Sequence, residues 1–400
     1  MRLVEQHHIK PTHPHWAELD HQMWLSKNLY NAGLYAVRQR WFATRKYLGY
    51  HRLQKDFQTL NNPDYRALPS KVAQQVLLLV DQNFRSFFGA LRLGLKARIP
   101  KYLDKSKGRF VLTYTAQAIS KKKLKNGLVC PSGTNLELST DKLPQQVRLV
   151  HKATHMVAEV VYLVPDPPLV EEQNNLAGLD LGLNNLATVG GNQIKPFILN
   201  GRPLKSINQH WNKETARLKS CLGKGQYTSR RIRAMAQKRN AKVKDYLHKA
   251  SRILVNQLAS NGVDTLVVGH NPQWKQDINI GDRNNQNFVQ VPHSRFVQMV
   301  RYKCQMLGIR VVTQEESYTS KCSFMDGEEV RKHQTYQGKR VKRGLFKAST
   351  GVINADLNGA LNILKKAVGE YQYPIEACSA PLVLTPLKGR NRSIKPECVN

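Results

Sequence analysis

The chain has 400 residues, with 62 Lys and Arg against 28 Asp and Glu, a formal net charge of +34 and 41% apolar residues. This length exceeds one ordinary hydrophobic core, so two or three domains are expected, and the charge points to a polyanionic partner, nucleic acid first and an anionic membrane second. No apolar run reaches the roughly 18 residues of a membrane span, no signal pattern is expected at Met1, and the six cysteines form no Cys-x-x-Cys pair, which excludes a disulfide framework and indicates reduced thiols.

In chain order, residues 1–14 hold a short strand and a His/Pro-rich loop. A helical pattern occupies residues 16–50, with Leu25, Leu29, Ala32 and Ala36 at three-to-four spacing. A second helix is predicted from Pro69, a natural first-turn residue, to about residue 93, with Val72, Val76, Val80 and Phe84 on its apolar face. From residue 98 to 168 the period changes to two. Segments 110–114, 147–151 and 156–162 read as strands of a small β-barrel whose sequence is interrupted by the helical insert. Lys121, Lys122 and Lys123 form an exposed basic run within it, expected to bind nucleic acid, with a solvated loop as the alternative, and the Pro-Asp-Pro-Pro stretch at 165–168 starts a linker.

From residue 176 the architecture changes. A strand carries Asp180, and Asn184-Asn185 turns it back into a second strand, a hairpin signal. Between Arg202 and Arg252 stand fifteen Lys and Arg against Glu214 and Asp245. A solvated face ordinarily mixes both signs, so Arg230, Arg231, Arg233, Lys238 and Arg239 are expected to contact nucleic-acid phosphates, while Val243, Leu247, Leu254 and Leu258 pack inward. Segment 265–269 reads as a buried strand, 296–308 as a helix, 309–313 as a strand, 321–349 as a polar basic insert and 357–368 as a helix. The alternation predicts a mixed α/β sheet. The tail, with several Pro, Lys and Arg, is expected to be flexible.

Acids are scarce in this chain, so their positions carry information. Asp180 ends the apolar run in Ala-Gly-Leu-Asp-Leu-Gly (177–182), Glu316 opens Glu-Ser-Tyr-Thr-Ser (316–320), and Asp356 heads Asn-Ala-Asp-Leu-Asn-Gly-Ala-Leu-Asn-Ile (354–363). Carboxylates converging from different elements suit divalent-metal hydrolysis of a phosphodiester, with Mg2+ the expected ion, Mn2+ its substitute. The structural alternatives are a turn residue for Asp180 and a helix cap for Asp356.

The order and context of these acids, together with Leu68-Pro-Ser-Lys-Val-Ala-Gln-Gln-Val76, Asn285-Gln-Asn-Phe-Val289 and Tyr318-Thr-Ser-Lys321, resemble the TnpB (OrfB) family. This is a family of transposon-encoded RNA-guided nucleases related to type V CRISPR effectors. The resemblance extends to about residue 372. It implies a multidomain protein: an α/β ribonuclease-H-like (RuvC) nuclease domain at 176–320 and 350–372, plus an oligonucleotide-binding-like β-barrel at 1–14 and 95–168. It further implies an inserted helical bundle at 15–94, a zinc-ribbon-like target-binding insert at 321–349, and a flexible tail at 373–400. Family members commonly carry the middle catalytic Glu at the end of the strand matching 265–269; here that place is Gly269, followed by His270. A branch with a relocated glutamate resembles this chain, and either Glu316 or Glu315 is the relocated acid; strand alternation should let only one of them bind metal. The insert retains Cys322 alone of the paired cysteines. One thiolate cannot hold a structural zinc, so a zinc-free, hydrogen-bonded remnant is expected, with Lys332, Lys339, Arg340, Lys342, Arg343 and Lys347 available to the target strand.

The resemblance implies an Mg-dependent endodeoxyribonuclease with Asp180, Glu316 and Asp356 as catalytic and metal-binding residues. The implied partners are a guide RNA from the transposon end and double-stranded target DNA, with cleavage next to a short motif, in a prokaryotic cytoplasm at the nucleoid. The alternatives are an inactive RNA-guided DNA-binding protein, suggested by Gly269, and a DNA transposase.

Overall fold

The computed structural model describes residues 1–168, 174–270, 290–342, 344–371, 373 and 381–386. The segment Asn285-Gln-Asn-Phe-Val289 and Arg343 lie outside the described residues. Two compact units divide the chain, Met1–Pro165 and Asp166–Asn400.

The first unit begins with β1 (Arg2–Ile9) and then inserts four helices: α1 (Trp16–Thr44), α2 (Tyr50–Thr59), α3 (Pro63–Arg66) and α4 (Ser70–Arg92). The helical pattern was expected to reach residue 50 and no helix was expected over 50–59, but α1 ends at Thr44 and Arg45 turns left-handed at φ 56°. The side chain that starts α2 comes from afar. Buried Asp81 accepts from the Tyr50 amide at 2.9 Å and from the Tyr47 hydroxyl at 2.7 Å. The chain then returns through β2 (Leu112–Thr115), a one-turn α5 (Lys121–Leu124), β3 (Leu128–Val129), β4 (Leu138–Ser139), β5 (Pro144–His151) and β6 (Met156–Leu163). The sheet order is β1-β6-β5-β2, all antiparallel. Among the described residues β1 and β2 are the edges of this sheet, so it is open where a closed barrel was expected. The strands that might have bridged the edges, β3 and β4, have two residues each and pair with one another. Helices and sheet share one core, from Leu19 and Leu34 through Phe84 to Leu112, Val147 and Val160.

The second unit opens with an antiparallel meander, β7 (Leu176–Leu181), β8 (Asn185–Gly191) and β9 (Phe197–Asn200). Two basic helices follow, α6 (Arg202–Ser220) and α7 (Arg230–Ser260), then β10 (Thr265–Gly269), α8 (His293–Gln305) and β11 (Arg310–Gln314). The insert folds as β12 (Lys339–Lys342), β13 (Leu345–Lys347) and β14 (Val352–Asn354), which leads into α9 (Ala355–Val368). The main sheet has the order β11-β10-β7-β8-β9-β15, where β15 is Leu382–Leu384. The mixed sheet is therefore present: β10 is parallel to both β7 and β11. The expectation of a flexible tail fails for residues 382–384, which hydrogen-bond in parallel to β9. An unpaired strand edge is a template for any extended segment, and composition alone does not register that.

α7 forms because Ser229 caps it, accepting from the Ile232 amide at 3.2 Å, and because Val243, Leu247, Ala250, Leu254 and Leu258 recur on one buried face. α9 packs on the other face of the sheet. Its Leu357 and Leu361 are fully buried, and Ile363 and Leu364 meet Val267 of β10.

Candidate active site and nucleic-acid interface

The parallel strands β7, β10 and β11 all end on the same side. Val268 pairs with Leu179 and with Thr313; one residue further on stand Asp180, Gly269 and Gln314. The carboxyl ends of parallel strands are where α/β sheets place their ligands. Asp180 itself faces α9, because Leu179 and Leu181 on either side of it turn into the opposite core.

α9 brings the second carboxylate. Its cap is Asn354, whose Oδ1 accepts from the amides of Asp356 at 3.0 Å and Leu357 at 3.2 Å. The capping role is thus taken, and the Asp356 side chain is available for other work. It accepts from Asn185 Nδ2 at 2.6 Å and pairs with Arg340 Nη2 at 3.2 Å. One turn on, a Cβ at Gly359 would stand 3.1 Å from Asp180 Oδ2. The Asp180 carboxylate therefore lies against the first turns of α9.

The third carboxylate comes from beyond β10, since β11 neighbours β10 and not β7. Glu316 also lies two residues beyond the end of β11, so strand alternation does not separate it from Glu315. Its carboxylate crosses the end of β10 above Gly269, where a Cβ would meet Glu316 Oε2 at 2.7 Å and Ile363 Cδ1 at 2.5 Å. The space of a side chain at 269 is occupied by the Glu316 carboxylate. Glu315 points elsewhere: it accepts from Lys366 Nζ at 2.6 Å and from the Ser317 amide and hydroxyl at 2.8 and 2.7 Å.

The Tyr-Thr-Ser motif holds Glu316 in place. Tyr318 adopts φ 65°, and the Thr319 hydroxyl donates to the Glu316 carbonyl at 2.8 Å. Two fully buried asparagines of α9 secure this loop. Asn362 donates to the carbonyls of Thr319 and Cys322, at 2.9 and 2.8 Å, and Asn358 donates to Cys322 O and accepts from the Phe324 amide. Asn358 and Asn362 were not singled out from sequence, Asn185 was read only as a turn residue, and Arg340 only as a cation for the target strand. The signal for the two helix asparagines was their spacing of four residues, which puts them on one face.

The electrostatics are those of crowded acids, with Arg340 at Asp356 as a counter-charge. Burial raises the Asp180 carboxyl well above the usual carboxylate range, and the charges of Asp356 and Glu316 push it further. Burial also raises Glu316 to about 7, with help from Glu315. The Glu315 carboxyl is lowered by its bonds to Lys366 and Ser317. Buried like charges are unfavourable unless a cation joins them. Oxygen donors of this kind suit a hard divalent ion such as Mg2+.

The basic residues divide by environment. Arg230, Arg231, Arg233 and Lys238 are exposed along the first turns of α7. Arg239 is not: its guanidinium is half-buried and donates to Asn208 Oδ1 at 2.8 and 2.5 Å and to the Gln290 carbonyl at 3.0 Å. It ties α7 to α6. Beside it a groove between the two helices is lined by His210, Trp211, Met235, Lys238 and Lys242. In the first unit Lys121, Lys122 and Lys123 are exposed on α5, with Lys123 paired to Glu137. Among the described residues no helix is long and apolar enough to cross a membrane.

Known proteins share parts of this chain. Residues 159–275 match the family described as OrfB_IS605, probable transposase, and residues 293–363 match the Cas12f1-like TNB domain. A TnpB-like protein, ORF457 of Acidianus two-tailed virus, is 28% identical over 233 residues, covering 54% of this chain and 48% of that protein. The chain thus spans about half the length of that curated relative. Among solved structures, a Cas12f1–sgRNA–target DNA complex aligns with TM-score 0.38 and 15% identity over 92% of this chain and 100% of that one. A mini-RNA-guided endonuclease, CRISPR-Cas_phi3, aligns with TM-score 0.47 and 9% identity over 94% of each chain.

Proposed function

We propose that this chain, a member of the TnpB family, is an RNA-guided DNA endonuclease with a ribonuclease-H-like active site made by Asp180, Glu316 and Asp356. The observation that carries the reading is the gathering of these carboxylates at the ends of β7 and β10, where the charges of Asp356 and Glu316 add to burial in raising Asp180. When bound there, Mg2+ supplies Lewis acidity to the phosphodiester being cut. Asp180, Glu316 and Asp356 would hold the ion. Asn185 orients Asp356 through its 2.6 Å bond, and Thr319 with Asn362 fixes the backbone that presents Glu316. Arg340, paired to Asp356 at 3.2 Å, is the cation that would bind a phosphate oxygen of the strand being cut.

The partners are a guide RNA from the transposon end and double-stranded target DNA, cut beside a short motif that the protein reads while base pairing reads the rest. The exposed cations of α7 and of α5 contact the phosphates in a salt-dependent way. The reading of an inactive binder rests on Gly269, and it loses force because a carboxylate stands over that glycine. The experiment is to sequence RNA copurifying with the protein, then offer the complex a library of motif-bearing plasmids with Mg2+. A defined guide and double-strand breaks that vanish in Asp180→Ala and Asp356→Ala are expected. Enrichment of target without breaks would establish the binder, and joined products in place of free ends would establish a transposase.

A further inference from the structure

We propose that Cys322, Glu328 and His333 form a second metal site, of mixed sulfur, oxygen and nitrogen donors, for a borderline-soft divalent ion such as zinc. The expectation of a zinc-free insert counted thiolates only. In the folded chain one ligand atom from each of these three residues lies within 4.8 Å of the others. Among the described residues this is the group of three or more His, Cys, Asp or Glu that converges so closely; the three acids of the nuclease site do not.

Burial divides the trio. Cys322 is fully buried and Glu328 is 4% exposed, while His333 is half-buried at the rim. Two anionic donors at the back would balance a dication, and the rim leaves a fourth position open to water. Glu328 is the strongest pointer. A buried carboxylate needs a compensating charge, and among the described residues its ion pair is with His333 at 3.9 Å. The carboxylate is already aimed: it accepts from the Ser323 amide at 2.7 Å and the Gln337 amide at 3.3 Å, as metal ligands commonly do. Cys322 is anchored by its carbonyl, which accepts from Asn358 and Asn362 of α9.

The proton accounting closes. Without metal the Cys322 thiol donates to the Arg331 carbonyl at 3.4 Å, and the His333 imidazole donates to the Glu329 carbonyl at 2.7 Å. Binding forms metal–sulfur, metal–nitrogen and metal–oxygen bonds, breaks these two hydrogen bonds, shifts the imidazole proton from Nε2 to Nδ1 so that Nε2 can ligate, and releases the thiol proton to solvent. A thiolate with an imidazole selects zinc or cobalt over magnesium. The ion would staple both ends of the 322–333 loop to α9, the helix that carries Asp356.

The test uses the full chain, stripped with a chelator and reloaded with zinc or cobalt(II). After desalting, elemental analysis should find about one zinc per chain, and cobalt should give a thiolate charge-transfer band. Cys322→Ser should abolish the band, His333→Ala should weaken zinc retention at least about tenfold, and Asp180→Asn should leave both unchanged. Circular dichroism checks that the variants fold. Should Cys322→Ser unfold, His333→Ala at the rim decides. No zinc retained by the wild-type chain, an unaltered band in Cys322→Ser, or wild-type retention by His333→Ala would each overturn the site.

Discussion

Gly269→Ala is the smallest change that interrogates the nuclease site. The added methyl would stand 2.5 Å from Ile363 Cδ1 and 2.7 Å from Glu316 Oε2, where carbon contacts normally settle at about 3.5–4.0 Å. One neighbour must retreat by about 1 Å. Ile363 is fully buried in α9 and cannot, so the Glu316 carboxylate is displaced. Overpacking of this kind costs about 1–3 kcal/mol, and in a unit of this size each kcal/mol lowers Tm by about 2–4 °C. The loss in cleavage should be far larger: displacing a metal ligand should slow cutting at least about 100-fold, or about 2.7 kcal/mol in the barrier. Single-turnover plasmid cleavage and thermal melting measure the two effects separately. The decisive comparison is with Glu316→Ala, alone and combined with Gly269→Ala. If both act on one carboxylate, the double variant cuts no more slowly than Glu316→Ala. Wild-type cutting by Gly269→Ala, or losses that multiply in the double variant, would refute the placement of Glu316.

Three further outcomes follow from the same geometry. Arg340→Ala should barely alter stability, since half-exposed ion pairs contribute about 0–1 kcal/mol, but should tighten Mg2+ binding by freeing Asp356, measured by calorimetry; unchanged affinity would remove Arg340 from the site. Asn362→Ala removes the Asn362 donor from the Thr319 carbonyl and leaves the Cys322 carbonyl with Asn358, and should cost about 1–3 kcal/mol, with slower cutting because the Thr319 turn under Glu316 loosens; a melting loss with full activity would confine Asn362 to stability. The pH dependence has a definite sign. Asp180 and Glu316 hold protons in the metal-free fold that an unfolded chain would have released, so they subtract stability as pH rises toward and through about 7. Mg2+ binds the ionised forms, so its stabilisation, read as the gain in Tm, should grow over that interval. A gain independent of pH would contradict the buried-carboxylate account.

Asp180 and Asp356 were legible in the sequence because each sits inside its own element: an acid interrupting an apolar strand, and an acid in the first turn of an apolar helix. The alternation of strands and helices likewise announced the mixed sheet. Other features depend on partners far away in sequence. The start of α2 rests on Asp81, the pairing of β15 on the free edge of β9, and the role of Arg239 on Asn208. Periodicity and composition are local measures and carry no information about such partners. The capping of α9 could have been read: Asn354 stands two residues before Asp356, and asparagine is among the better caps.

Glu316 and Gly269 are best understood as one device. Neighbouring strands lie about 4.8 Å apart, roughly the reach of a glutamate side chain. A carboxylate can therefore arrive at the end of β10 either from β10 itself or from the chain leaving β11. The second route passes over residue 269, and any side chain there would occupy the path, as the 2.7 Å approach shows. The glycine that seemed to empty the site is the condition for filling it from next door. The exchange also demands a fixed exit from β11, which the left-handed Tyr318, the Thr319 turn and the Asn362 clamp provide. A side chain restored at 269 would be productive only if it brought its own carboxylate and Glu316 were removed. Gly269→Glu with Glu316→Ala should accordingly recover part of the cutting that Glu316→Ala loses, while Gly269→Glu alone should not reach wild-type activity, because two acids would compete for one place.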